Sequence, residues 1–202
     1  MADFYYTIKD IQREEIKIKK SRFIATVIPV LNSEIAKEEY DKIKKEFHDA
    51  RHNCWAWRFG ENGLDFRYSD DGEPNGSAGK PILFSLKKYE VSDVMLVVTR
   101  FFGGVKLGVG GLVRAYSEAA ELVLDKCEKI QIDITKTVKI FTTYEDISII
   151  KSLLDSYAVS YEDNYTDFID IKSEIPLSKV EEFTSLIVSK TNARSGFRII
   201  DL

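Results

Sequence analysis

Glycine is concentrated in one stretch of this 202-residue sequence, and this constrains the fold more than any other feature. Residues 68–116 hold eight of the eleven glycines, and five of these fall within residues 103–111. Each glycine costs conformational entropy on folding, so a cluster indicates backbone that needs positive φ angles or close approach. Between the two glycine-rich segments lie a short helical pattern and the apolar run 94–98. The run is typical of a strand buried on both faces, so the stretch predicts two unusual loops around an ordinary helix and strand.

The second of these segments, the basic loop (residues 100–114), combines its glycines with positive charge. It follows a predicted strand and precedes a predicted helix that begins near Gly111, and a helix start presents unpaired N–H groups and a positive dipole end. This predicts an anion- or nucleic-acid-binding site. Its candidate residues are Arg100, Gly103, Gly104, Lys106, Gly108, Gly110, Gly111 and Arg114. The alternative is a tight strand-to-helix connection with solvated basic residues; the spacings of Walker A and dinucleotide-binding loops are absent.

The first segment, the acidic loop (residues 69–81), is rich in carboxylates as well as glycine. Its carboxylates could bind a hard cation or serve in acid–base chemistry. Asp-Gly and Asn-Gly are strong turn formers, however, and the calcium-loop spacing is absent, so we expect turn chemistry that supports the basic loop. The candidate supporting residues are Asp70, Asp71, Glu73 and Lys80.

A short strand pattern carries the remaining chemically reactive side chains. His52 and Cys54 share one face of it, but a zinc site needs three or four ligands and only Cys127 adds another sulfur. A Cys–His nucleophilic pair would need hydrogen-bond contact, which parallel side chains on one strand rarely make. Trp55 and Trp57 fit core packing, with stacking on a base as the alternative. We therefore expect no metal or cofactor and assign no catalytic residue.

The net charge of −4 argues against a generally basic protein that coats DNA. Residues 1–131 carry 21 Lys and Arg against 21 Asp and Glu, which leaves 8 against 12 for residues 132–202. An anion site in the first part is therefore local geometry. No apolar run approaches the roughly 20 residues that span a bilayer, and the N-terminus lacks a signal-peptide pattern. With two cysteines, we expect a cytoplasmic protein without a membrane partner.

The pattern of elements predicts an α+β protein with two domains, residues 1–131 and 132–202. The second shows strand, helix, strand, strand, helix, strand, which is a ferredoxin-like βαββαβ order. Ser178 and Glu181 have capping-box spacing for its last helix. In the first domain, residues 15–31 have a strand pattern whose basic patch is either a solvated hairpin or strand face or a surface in contact with phosphate. The patch comprises Lys17, Lys19, Lys20 and Arg22.

Three motifs together resemble the YigZ/IMPACT family: ARHNCWAW (50–57), SDDGEPNGSAGKP (69–81) and VTRFFGGVKLGVGGLVRAY (98–116). The resemblance covers residues 15–130 by motif. It implies an N-terminal α/β sandwich similar to domain IV of elongation factor G. A ferredoxin-like domain similar to that factor's domain V is implied to follow it.

The resemblance also bears on function, because the eukaryotic relative acts in translational control. It implies a module that binds RNA, the ribosome or a translation-associated protein, and it carries no catalytic residue over to this chain. Two alternatives remain open. One is a metal-dependent hydrolase in which Asp70, Asp71 and Glu73 hold a metal beside the basic loop. The other is a protein-interaction module, which an exposed apolar patch holding Phe101, Phe102 or Trp55 would favour. The oligomeric state is left open.

Overall fold

The computed structural model describes residues 3–165 and 169–200. The chain divides into two compact units. The first unit is residues 5–132, and the second is the described part of residues 133–200 together with Asp3 and Phe4. Each unit has its own apolar core, so the architecture is α+β with two domains.

Strands and helices alternate irregularly along the described chain. The strands are β1 (Phe4–Ile8), β2 (Gln12–Ile18), β3 (Ser21–Pro29), β4 (His52–Phe59), β5 (Asp65–Ser69), β6 (Val94–Phe101), β7 (Lys129–Asp133), β8 (Thr135–Thr142), β9 (Ser160–Tyr165), β10 (Ile169–Pro176) and β11 (Gly196–Ile200). The helices are α1 (Ser33–Glu46), α2 (Gly79–Lys88), α3 (Val109–Asp125), α4 (Ile147–Tyr157) and α5 (Val180–Lys190), with a 3₁₀ turn at Leu177–Lys179.

The main sheet of the first unit has the strand order β2-β3-β6-β4-β5, and neighbouring strands are antiparallel. Helices α2 and α3 cover one face, where Leu96 and Val98 of β6 join the larger core. Helix α1 covers the other face, where Met95 and Val97 pack. The prediction that residues 94–98 form a strand buried on both faces is thus confirmed. Strands β1 and β7 pair separately.

The region predicted as one strand over residues 15–31 is instead a hairpin, β2 and β3. Ile18 pairs with Ser21, so Lys19 and Lys20 form a two-residue turn with φ angles of 45° and 69°. Such turns need positive φ at both central positions and usually use Asn-Gly. Two lysines give no such signal, so the single-strand prediction was wrong. The turn lies exposed at the end of the hairpin.

The sheet of the second unit has the order β11-β8-β10-β9, with antiparallel neighbours. Helices α4 and α5 supply Leu154 and Phe183 to its core, so the elements follow the predicted βαββαβ order. The predicted capping box at the start of α5 is wrong. Within the part of the chain that the structure describes, no side chain caps the start of α5, and the Ser178 backbone N–H donates to the Asp3 carboxylate at 2.7 Å.

Candidate functional site

The acidic loop is folded by the carboxylate of Asp70. This carboxylate accepts hydrogen bonds from the backbone N–H groups of Gly76, Ala78 and Gly79 at 2.8, 2.9 and 2.9 Å. At Gly79 the backbone passes close to the first residue of the acidic loop, because a Cβ there would lie 2.6 Å from the Ser69 carbonyl oxygen. Asp70 therefore acts on the backbone of its own loop, which is the turn chemistry expected of this segment.

Asp71 joins the acidic loop to strand β4. Its carboxylate accepts the backbone N–H of Asn53 at 2.6 Å, and its carbonyl oxygen lies 2.7 Å from Nδ1 of His52. Asn53 is fixed in turn by the hydroxyl of Thr99 on β6, which donates to its side-chain oxygen at 2.7 Å. These bonds hold the loop against the ends of the two central strands.

Glu73 points inward and connects the acidic loop to the basic loop. Its carboxylate forms an ion pair with Arg100 at 2.5 Å and accepts a hydrogen bond from the hydroxyl of Tyr116 at 2.9 Å. The side chains of Glu73 and Arg100 are only 4% and 8% exposed. Cys54 completes the cluster, with its sulfur 3.3 Å from the Tyr116 oxygen and 3.0 Å from the carbonyl oxygen of Asp70. The two loops of opposite charge thus meet through buried side chains.

Burial controls the protonation of Cys54 and Tyr116 in this cluster. It raises the pKa of the Cys54 thiol and of the Tyr116 hydroxyl well above their usual ranges, because the charged forms would lose hydration. Both groups are therefore neutral at physiological pH. A neutral, fully buried thiol is a poor nucleophile, so Cys54 serves packing and hydrogen bonding.

The arrangement that a metal-dependent hydrolase requires is not found in the described residues. Asp70 turns onto its own loop, Asp71 onto strand β4 and Glu73 onto Arg100, so the three carboxylates point to different partners. Within residues 3–165 and 169–200, no three His, Cys, Asp or Glu side chains are grouped so as to hold a metal ion. Lys80, the fourth candidate supporting residue, lies exposed in the first turn of α2.

The glycines of the basic loop differ in their structural surroundings. Gly103 touches the turn of the β2–β3 hairpin, where a Cβ would lie 2.0 Å from the carbonyl of Lys20. Gly104 and Gly108 have φ angles of 85° and 71°, which favour glycine. Gly110 and Gly111 lie in the first turn of α3, which begins at Val109, two residues before the predicted start.

The three cationic candidates of the basic loop lie in different surroundings. Arg100 is buried against Glu73, with the ring of Phe102 5.6 Å from its guanidinium carbon. Lys106 is exposed in the loop before α3. Arg114 is exposed on α3 and lines a shallow groove beside Ser117 and other residues of that helix.

A cavity of about 360 Å³ lies where the acidic and basic loops meet. Its lining comprises Arg51, His52, Glu73, Pro74, Arg100, Phe102, Lys106, Leu107, Gly108, Val109 and Leu112. The lining therefore includes Arg100, Lys106 and Gly108 of the predicted binding residues and Glu73 of the supporting residues, whereas Arg114 does not line the cavity. Arg51 was not among the candidates, although it lies next to His52 in the first motif.

The start of α3 faces this cavity through Gly108, Val109 and Leu112. Gly108 provides no side-chain cap, and the first turn contains no acidic residue. The first amides of a helix have no partner within the helix, and among the described residues no side chain caps this end of α3, so these N–H groups are available to an anion. Positive side chains from Arg51 and Lys106 border the same space.

Comparison with known proteins shows that the sequence of this chain is similar to those of one family. The family model described as the Impact N-terminal domain matches residues 19–124, more than half of the chain. The chain is 35% identical to a Bacillus subtilis (strain 168) protein named IMPACT family member YvyE, over 98% of this chain and 92% of that protein. It is 33% identical to a Haemophilus influenzae (strain KW20 / Rd) protein named IMPACT family member, over 100% and 99% of the two chains.

Similarity extends to a solved structure and to shorter stretches of eukaryotic proteins. A crystal structure of a hypothetical protein matches with a TM-score of 0.70 and 29% identity, over 100% of this chain and 99% of that one. A Dictyostelium discoideum protein named Protein IMPACT homolog is 44% identical over 66 residues, 32% of this chain and 19% of that protein. No helix among the described residues is long and apolar enough to cross a membrane.

Proposed function

The chain belongs to the IMPACT family, and on this premise we propose that it is a translation-associated protein that binds the phosphate backbone of RNA, free or in the ribosome. The observation that carries the proposal is the cavity at the start of α3, which Arg51 and Lys106 border. The translational setting rests on the resemblance to the eukaryotic relative.

The start of α3 supplies the neutral part of the proposed phosphate site. It is a 17-residue helix whose N-cap, Gly108, leaves the first amides without a side-chain acceptor. A phosphate oxygen placed there meets several N–H groups and the positive end of the helix dipole. The positive φ of Gly108 lets the chain turn into the helix without a side chain in that space.

Basic side chains supply the positive charge of the proposed phosphate site. Lys106 and Arg51 are exposed, so their charges are available to a ligand. Lys19 and Lys20 at the hairpin turn extend the positive surface, because Gly103 of the basic loop packs against this turn. Phosphate contacts of this kind release counterions, which makes binding weaken as salt rises.

Arg100 has a different role in the proposed RNA binding from that of the exposed cations Lys106 and Arg51. Its ion pair with Glu73 holds the two loops together, so its contribution to RNA binding is mainly the positioning of the loop that carries Lys106. Arg114 lies on α3 outside the cavity and adds a peripheral phosphate contact.

The test is the replacement of Lys106 by alanine, with binding to a single-stranded RNA followed by fluorescence anisotropy across a salt series. Loss of one phosphate contact reduces the magnitude of the negative slope of log K against log salt by about 0.7, which corresponds to about fivefold weaker binding at 0.1 M salt. Lys45→Ala is the matched control, because Lys45 is an exposed lysine in the last turn of α1 that does not line the cavity. Ribosome co-sedimentation over the same salt range extends the test to ribosomal RNA.

Two results would contradict this proposal. One is the absence of RNA or ribosome binding at low salt by the natural protein. The other is an equal loss in Lys106→Ala and Lys45→Ala, which would indicate nonspecific attraction to any positive charge on the surface.

A protein-interaction module is the second candidate, and one observation favours it. Phe102, Val105 and Val109 of the basic loop region are 44%, 41% and 57% exposed. Exposed apolar groups close together in sequence often mark a contact surface for another protein. Treatment of a pull-down with RNase separates the two candidates, since partners held through RNA are released and directly bound proteins remain.

A further inference from the structure

The cavity between the two loops has an apolar wall as well as a cationic rim. Phe102, Leu107 and Val109 contribute apolar surface, and Arg51 and Lys106 contribute charge. A volume of about 360 Å³ lies at the lower end of the range of small-molecule pockets. A phosphate group alone would not need such an apolar wall.

From this we infer that the cavity receives one unpaired nucleotide, with its base against Phe102 and its phosphate at Lys106, Arg51 and the start of α3. The inference rests on the proposed function, and it specifies the ligand as a nucleoside monophosphate unit. Such a unit has a flat apolar face and a dianionic or monoanionic phosphate, which matches the two halves of the cavity.

Phe102 has the features of a stacking platform. The residue is 44% exposed, and its ring lies 5.6 Å from the guanidinium carbon of Arg100. Stacking of a base on an aromatic ring is tolerant of sequence, because every base has a π-face.

The charges of the lining favour an anion. Glu73 lines the cavity, but its carboxylate is already paired with Arg100 and bonded to Tyr116. The charges of Arg51 and Lys106 therefore remain for a ligand. Arg100 adds a further donor, because its Nε is buried and has no hydrogen-bond partner among the described residues. An acceptor group that enters beside Arg100 would complete its hydrogen bonding.

This geometry predicts a preference for single-stranded RNA. The bases of a duplex are stacked and paired, and removing one from the stack costs free energy. An unpaired base avoids that cost, so a cavity that takes one base distinguishes a single strand from a duplex.

The experiment compares single-stranded and blunt double-stranded RNA of equal length, using Phe102→Ala and the control Phe84→Ala. Phe84 on α2 is a second exposed phenylalanine, 68% exposed, and it does not line the cavity. We expect Phe102→Ala to weaken single-strand binding by about 5- to 150-fold, the loss of one stacked base. The slope of log K against log salt and the affinity for duplex RNA, which we expect to be the lower of the two affinities, should stay unchanged in Phe102→Ala. Phe102→Trp keeps an aromatic ring and should therefore bind single-stranded RNA as the natural protein does.

The outcomes separate this inference from the proposed function. Equal binding of duplex and single strand, or equal effects of Phe102→Ala and Phe84→Ala, overturns the inference while RNA binding stands. A titration with AMP and UMP, followed by NMR, adds a second arm. Free nucleotides that bind at Phe102 while RNA fails to bind would support the cavity and overturn the proposed function. If neither RNA nor nucleotide binds, both fail.

Discussion

Glu73 and Arg100 are the residues whose pairing joins the acidic loop to the basic loop. Both side chains are more than nine-tenths buried, so neither charge has water to replace its partner. Replacement of Glu73 by alanine leaves the guanidinium buried and unpaired. We expect a loss of about 3–5 kcal/mol in the free energy of unfolding, measured by urea denaturation.

A double variant, Glu73→Leu with Arg100→Met, is the matched control. It removes both charges together and keeps apolar volume in the cluster, so it should lose much less stability than the sum of the losses in the single variants Glu73→Leu and Arg100→Met. Additive losses, with a coupling energy below about 0.5 kcal/mol, would show that the two charges do not stabilise each other.

At the scale of elements, the basic loop is held against the turn of the β2–β3 hairpin at Gly103. An alanine there would place its Cβ 2.0 Å from the carbonyl carbon and oxygen of Lys20, which are backbone atoms that cannot rotate away. We expect Gly103→Ala to destabilise the protein by about 1–3 kcal/mol, the usual range for overpacking, with thermal unfolding as the measurement.

Gly110→Ala is the contrasting variant in the same loop region. Among the described residues, a Cβ at Gly110 would meet no atom within 4 Å other than those of its chain neighbours and the nearby backbone of its own helix, and the residue already lies in the first turn of α3. Alanine is favoured over glycine in a helix by up to about 1 kcal/mol, so this variant should be neutral or slightly stabilising. Similar destabilisation by both substitutions would mean that helix-start geometry, and not the contact at Lys20, limits the loop.

Local sequence patterns predicted much of the fold, because periodicity reports which faces are buried. The run 94–98 has apolar residues on both sides of its strand and lies between two cores. The hairpin turn at Lys19 and Lys20 was not predicted as a break in the strand over residues 15–31, because its residues lack the usual turn chemistry. Ser178 matched a capping box, but a partner 175 residues away in sequence, Asp3, takes its backbone N–H.

The candidate site was less predictable, because its geometry is tertiary. The glycines and cations of the basic loop were visible in the sequence, whereas the pairing of Arg100 with Glu73 joins residues 27 positions apart without a local signal. From its charge alone, Arg100 was predicted to bind a ligand. Its burial against Glu73 shows instead that its charge is already paired within the protein. Arg51 borders the cavity only because strand β4 pairs with β6, which brings the start of one strand beside the end of the other.

At the scale of the whole molecule, the residues that line the cavity all belong to the first unit. That unit has its own two cores, and the second unit has a separate core around residues such as Ile140, Leu154 and Phe183. A unit with its own core has the interactions it needs to fold alone. A fragment of residues 1–134 keeps both β1 and β7 and should therefore unfold cooperatively.

The same fragment tests where RNA binding resides. Residues 135–202 carry 8 Lys and Arg against 11 Asp and Glu, so their removal takes away a net negative charge that repels RNA. We expect the fragment to bind single-stranded RNA as tightly as the full chain or more tightly at low salt, since repulsion between the RNA and the acidic part is then lost. The difference should vanish at high salt, where ions screen charges beyond a few ångströms. A folded fragment, verified by circular dichroism, that binds more weakly at every salt concentration would show that the second unit contributes contacts of its own.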